Sequence, residues 1–168
     1  KDMENFFGTF PSQTFLQLLL AVVLGAFVGL EREVRRKEAG MRTYALVSLG
    51  AALFVVVAVE VMEQFLAMGH TEFDPTRILQ AVAMGIGFLG TGIIIFRDPY
   101  VAGATTAAGV WVAAAIGAAV GFQLYWIAVI ASFLALFVLA SLRKAEEQWI
   151  RKMAEKDGEQ KKSTGGQI

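Results

Sequence analysis

The chain of 168 residues is 56% hydrophobic and 18% charged, with fifteen basic residues, fifteen acidic residues and no net charge. Soluble domains carry nearer about a quarter charged residues, so long charge-free runs between clustered charges exclude an ordinary soluble domain and point to an all-α integral membrane protein in a lipid bilayer. The neutral balance offers no basic surface to nucleic acid, and the lack of cysteine excludes disulfides and thiolate metal sites.

Five transmembrane helices are predicted, over residues 13–30, 43–61, 78–96, 101–120 and 123–142. In the first, Ala21, Gly25 and Gly29 recur every fourth residue. Small residues at that spacing let a second helix approach closely. Gly25 and Gly29 form a GxxxG pair, from which a homodimer through the first helix is expected, with packing of the same face within the chain as the alternative. The charged stretch that follows, Glu31 to Arg42, holds five basic residues, and "EAG" with Gly40 reads as a helix stop. Glu31 is placed four residues before Arg35 for an ion pair. Glu31, Arg32 and Glu33, with Arg42 and Thr43 at the start of the second helix, form a candidate polar cluster at one membrane edge.

On the opposite side, Asp74 precedes Pro75 and Arg77. Asp at N-cap with Pro at N1 is a strong helix start, and Asp74 with Arg77 could also shape an outer mouth. The same Asp-Pro pair at Asp98–Pro99 predicts a cap for the fourth helix. His70 is a lone histidine without metal-ligating neighbours in the sequence.

The third helix contains Gly85, Gly87 and Gly90 in the spacing G-x-G-x-x-G. A dinucleotide loop would have to follow a strand and be answered by an acidic residue about 20 positions on. Here the glycines lie inside a 19-residue charge-free run, and Val110 and Trp111 stand where the acid should be. The pattern instead predicts a helix that is approached on two sides. Ala81, Gly85 and Gly92 would lie on one face and Gly87 and Gly90 on the other, with the bulky stripe of Val82, Ile86, Leu89 and Ile93 turned to lipid.

In the fourth helix, fifteen of the twenty residues from Ala102 to Gly121 are Ala, Gly or Thr. So thin a surface suits a central helix. The ladder Thr105, Gly109, Ala113, Gly117, Gly121 serves packing or a crevice lined by backbone, with Thr105 and Thr106 hydrogen-bonding within or between helices. After a turn at "GAAVGFQ", the fifth helix runs into an amphipathic stalk over 143–157, with Trp149 near the interface. A polar, disordered tail follows over 158–168.

Thirteen of the fifteen basic residues fall on one side of this arrangement. The positive-inside rule therefore puts the N-terminus outside and the C-terminus in the cytoplasm. No nucleophile–base pair or paired histidines are present, which argues against an enzyme.

Five stretches, "GLERE" (29–33), "AGMRTYALVSLGAAL" (39–53), "DPTRI" (74–78), "GIGFLGTG" (85–92) and "TTAAGVWVAAAIG" (105–117), resemble the MgtC/SapB family of bacterial inner-membrane proteins. The resemblance implies a multi-helix membrane domain linked to magnesium homeostasis. It also implies partners among membrane proteins, such as a magnesium transporter or the ATP synthase. Its motif residues fall on Glu31, Arg32, Glu33, Arg42, Thr43, Asp74, Arg77, Thr105, Thr106 and Trp111. Met41 and Ala104 stand where the family has leucine, and the tail is too short for the soluble domain of longer members. No cofactor is implied other than Mg²⁺, for which Glu31, Glu33 and Asp74 are the candidate ligands. The leading expectation is a non-enzymatic accessory or regulatory membrane protein. The alternative is a Mg²⁺ transporter or channel that uses the membrane-edge carboxylates.

Overall fold

The computed structural model describes residues 12–69, 74, 76–97 and 100–142. It contains five helices: α1 (Ser12–Val34), α2 (Met41–Ala67), α3 (Thr76–Ile93), α4 (Ala104–Gly121) and α5 (Tyr125–Phe137). The first four are long and apolar enough to cross a membrane. The protein is a multi-pass membrane protein. The chain divides into two units, up to Ala135 and from Leu136 onward. In the second, the described residues include a π-helical stretch, Val138–Leu142. The predicted stalk and tail lie outside the described residues, as do His70, Asp98 and Pro99.

The core of the bundle is α1, α2 and α4, and its inner surfaces are made of the small residues that the sequence displays. A Cβ on Gly25 would meet the Tyr44 carbonyl oxygen at 2.6 Å and Ser48 Cβ at 2.7 Å. One on Gly29 would meet Met41 Cα and Tyr44 Cβ at 2.8 Å. From the other side, Gly109 faces the Tyr44 ring, Gly117 faces the Ser48 backbone, and Gly121 faces Val55 and Ala52. The Tyr44–Ser48–Ala52–Val55 stripe of α2 is thus held between two glycine-bearing helices. Close backbone approach lets dispersion act over many atoms, which is what holds helices together where lipid removes the hydrophobic drive. Thr106, rather than Thr105, joins this core; Thr105 is exposed.

Buried polar groups stitch the three helices. Gln17 donates from Nε2 to the carbonyls of Val120 (2.8 Å) and Gly121 (2.9 Å). Ser48 Oγ donates to the Ala21 carbonyl at 2.8 Å. Tyr44 Oη donates to the Thr106 carbonyl at 3.1 Å. Away from water each unmade bond would be costly, so these partners also fix the helix register. The fifth helix, α5, buries Ala128 and Ser132, and its Phe133 ring meets Phe27 of α1 edge to face at 5.5 Å.

The third helix departs from expectation. Its sole buried residue is Ile86, from the bulky stripe predicted to face lipid. Gly85, Gly87 and Gly92 have nothing within 4 Å of a Cβ position, and Gly90 meets only Ala107 Cβ, at 3.8 Å. α3 leans on α4 and stands off from α2 across a cleft of about 880 Å³. The Val82, Ile86 and Leu89 stripe lines that cleft, and Gly90 is the α3 glycine that faces α4.

Two boundaries also move. The helix after Asp98 begins at Ala104, with Gly103 as its N-cap at φ 86°, so Asp98 does not cap it. Instead, Ile95–Arg97 pairs antiparallel with Tyr100–Ala102, the one sheet among the described residues. Open strand edges are not tolerated in hydrocarbon, which puts this ribbon at the end of the bundle. Gly103 is needed there: a Cβ would lie 2.2 Å from the Ile93 carbonyl oxygen.

The first helix ends at Val34 and is stopped by Arg36 rather than by Gly40. Arg36 adopts φ 52°, its N–H bonds the Glu33 carbonyl, and the Lys37 N–H bonds the Arg32 carbonyl, each at 3.0 Å. That is a Schellman stop with arginine in the left-handed position. Gly40 instead opens α2, as its N-cap in extended conformation. α4 closes in the same way as α1, with Gln123 at φ 61° and the N–H groups of Gln123 and Leu124 bonded to Val120 and Ala119.

Candidate functional site

The polar end of the three-helix core is built by the last turn of α1, the loop after it, and the first turns of α2 and α4. Arg32 continues the face of Gly25 and Gly29, so the packing that buries those glycines buries it too, to 2% exposure. Glu31 bridges two guanidinium groups: Oε2 accepts from Arg32 and Oε1 pairs with Arg35. The contact to Arg35 is an ion pair without hydrogen-bond alignment. The arrangement keeps a buried cation beside its counter-charge, as a low-dielectric setting demands.

Glu38, which the sequence reading did not single out, completes the cluster. Its Oε2 accepts from Thr106 Oγ1 on α4 at 2.8 Å, and the same threonine's carbonyl accepts from Tyr44. A hydrogen bond from its own backbone N–H, with the Thr106 hydroxyl next, holds the Glu38 carboxyl below its usual pKa. The α1–α2 loop is thereby tied to α4 through a charge-assisted bond. Glu38 and Gln17 lie outside the five family-like stretches, and Tyr44 lies inside one without being marked as a site residue. Their partners lie 62 to 104 residues away in the chain, and no local pattern reveals such a pairing.

Glu33 has a different task. Its Oε2 accepts the Met41 N–H at 3.0 Å, so it supplies the side-chain cap that Gly40 lacks at the start of α2. A Cβ on Gly40 would fall 1.8 Å from that oxygen, so the Glu33 side chain would have to shift to admit one. Arg42 and Thr43 are exposed. Glu31, Arg32 and Arg35 therefore come together, and Glu33, Arg42 and Thr43 do not join them.

At the other end, Asp74 Oδ1 accepts from the Thr76 N–H (2.9 Å) and the Thr76 hydroxyl (2.6 Å). Those bonds hold its carboxyl below its usual pKa, with a smaller contribution from Arg77. It caps α3. Arg77 stands at the mouth of the α2–α3 cleft.

Glu31, Glu33 and Asp74 do not converge on a metal. Among the described residues no three acidic or histidine side chains are placed to hold one. The glycines proposed to line a crevice divide likewise. Gly25, Gly29 and Gly109 are filled from within the chain, while Gly85, Gly87 and Gly92 lie open on α3. Trp111 is half exposed on α4.

The MgtC family profile matches residues 18–148. The chain is 38% identical over 128 residues to the Escherichia coli K12 protein named "Putative magnesium transporter YhiD", covering 76% of this chain and 60% of that protein. It is 38% identical to SrpB of Synechococcus elongatus, over 83% of this chain and 81% of that one. To MgtC of Salmonella typhimurium it is 37% identical, over 87% of this chain and 58% of the other. The chain thus spans about 60% of the length of YhiD and MgtC. No solved structure matches it.

Proposed function

The chain belongs to the MgtC family, and from that premise we propose that it is an accessory or regulatory protein of magnesium homeostasis in the bacterial inner membrane. It acts by lateral contact with other membrane proteins or with itself and performs no chemistry. Its N-terminus lies outside and its C-terminus in the cytoplasm, in keeping with the charge asymmetry of the loops.

One observation carries this reading. Four of the membrane-edge carboxylates that a cation path could use are engaged in holding the bundle. Glu31 bridges Arg32 and Arg35, Glu38 binds Thr106, and Glu33 and Asp74 cap helices. A hard cation calls for several oxygen ligands. The small-residue faces of α1 and α4 are closed on α2. What stays available is the outward face of α3, where Met84 and Phe88 are 77% and 82% exposed and Gly87 lies between them. A partner helix, including α3 of a second copy in a homodimer, has room to approach there.

The test joins two measurements. In liposomes loaded with a Mg²⁺-sensitive dye, the purified protein should give no flux under an imposed gradient. In cells, Gly87→Leu should abolish support of growth at low magnesium while the protein stays folded and abundant. Protein-dependent flux that Glu31→Gln abolishes would overturn the accessory reading in favour of a transporter.

A further inference from the structure

We propose that the cleft between α2 and α3 is a binding site for one anionic phospholipid, with an acyl chain along the cleft and the phosphate at Arg77. The inference does not depend on the magnesium reading, since its readout is bound lipid.

Apart from Thr43 and Arg77 the walls of the cleft are apolar, and small where the helices face each other: Gly50 and Ala51 on α2, Ala81 and Gly85 on α3. Neither Gly50 nor Gly85 has anything within 4 Å of a Cβ position, so the two helices do not close on each other. On α2 the lining runs from Thr43 to Ala58, which at 1.5 Å per residue is about 24 Å. One leaflet of hydrocarbon is about 15 Å, half of the bilayer core. The cleft is therefore long enough for an acyl chain, and its volume of about 880 Å³ is generous for one.

Charge selects the headgroup. Arg77 is the one charged residue of the lining, and it stands at one end of the cleft, in the first turn of α3. Among the described residues it forms no ion pair. Asp74, the nearest carboxylate in sequence, turns its Oδ1 to Thr76. A guanidinium at the hydrocarbon edge pairs with a phosphate through charge-assisted, often bidentate hydrogen bonds.

The protein is tested in mixed micelles that offer equal phosphatidylglycerol and phosphatidylcholine, followed by native mass spectrometry. The wild type should retain one phosphatidylglycerol per chain in preference to phosphatidylcholine. Arg77→Gln should lower that preference roughly fivefold, the worth of one basic group near a lipid surface. Gly50→Leu with Gly85→Leu should abolish retention of either lipid. Both positions have room for a side chain, so a thermal melt like that of the wild type verifies the fold. A wild type that retains no lipid, or retains the same lipid after the cleft is filled, overturns the site. So does a dimer that the leucine pair dissociates, because a second copy then occupies the cleft. An unchanged preference in Arg77→Gln overturns the role of Arg77.

Discussion

The hydroxyl of Tyr44 fills the space that a side chain at position 109 would need: a Cβ on Gly109 would sit 2.2 Å from Tyr44 Oη. That hydroxyl also donates to the Thr106 carbonyl, one turn earlier on the same helix. Packing and hydrogen bonding at this point are one arrangement, and they separate under substitution. Tyr44→Phe should cost about 1 kcal/mol or less, the ordinary worth of one such bond. Gly109→Ala should cost more, about 1–3 kcal/mol by overpacking. The double variant should be less damaged than the sum, since the nearest atom recedes to the ring carbon at 3.0 Å. Thermal unfolding in a mild detergent measures all three, and strict additivity would contradict the contact.

Glycines of α1 and α3 should respond in opposite directions. Gly29→Ala forces a Cβ to 2.8 Å from Met41 Cα, and Gly29→Leu should lose the fold altogether. Gly87→Ala meets nothing and should stabilise by about 0.5–1 kcal/mol through helix propensity. Size-exclusion chromatography after heating ranks the three. A monodisperse, folded Gly29→Leu protein would show that α1 does not pack on α2 as described.

Glu31→Gln removes the counter-charge of Arg32 and Arg35 at a site where Arg32 is buried. We expect a loss of about 3 kcal/mol, within the range for breaking a buried pair, and little dependence on added salt. Glu33→Gln keeps an acceptor oxygen for the Met41 N–H and should cost under about 1 kcal/mol. Equal losses in the two variants, seen in denaturation monitored by circular dichroism, would contradict this division of roles.

Acid should weaken the loop latch. The folded Glu38 pKa lies below its ordinary value of 4.5, so folding favours its ionised form. Its contribution is complete above that value and is lost as pH falls through the lowered one. Glu38→Gln should therefore flatten part of the decline in melting temperature below about pH 4.5 and leave the neutral range parallel to the wild type. The check is a series of melts from neutral pH downward; an unchanged acid limb would rule out the Thr106 contact as its source.

Gln123 carries a left-handed backbone at the end of α4. Gln123→Gly should raise stability by about 1 kcal/mol, because glycine reaches that conformation without a Cβ penalty. A drop in melting temperature would mean that the glutamine side chain holds the turn in place.

The sequence was legible wherever the information is local. Charge-free runs locate the helices to within a few residues, and the fourfold spacing of Gly25 with Gly29, and of Gly109 with Gly117 and Gly121, marks surfaces that do come into close contact. It was misleading where one pattern serves two structures. Asp74–Pro75 and Asp98–Pro99 look alike, yet the first precedes Thr76-Arg77-Ile78-Leu79 and caps a helix. The second is followed by Tyr100-Val101-Ala102-Gly103, in which aromatic and β-branched residues pair as a strand and glycine breaks it. The α3 glycines misled because a small residue permits contact without causing it. In the site, Glu31 and Arg32 were visible through spacing and charge density. Glu38, Tyr44 and Gln17 act across three helices, and nothing in their neighbourhoods records the partner.

The separation of α3 from α2 also fixes an order of events during synthesis. α1 and α2 emerge in succession and can close on each other at Gly25 and Gly29 as a helical hairpin. The next helix to leave the ribosome finds no surface on that hairpin to fill. Only when α4 (Ala104–Gly121) has been delivered does the opposite side of Tyr44 and Ser48 gain its cover. Until then Gln17 lacks both of its acceptors, and Glu38 and Tyr44 lack Thr106. The nascent chain must therefore hold a half-finished core in lipid while a helix that takes no part in it is inserted, and that interval is when membrane chaperones and proteases have access to it.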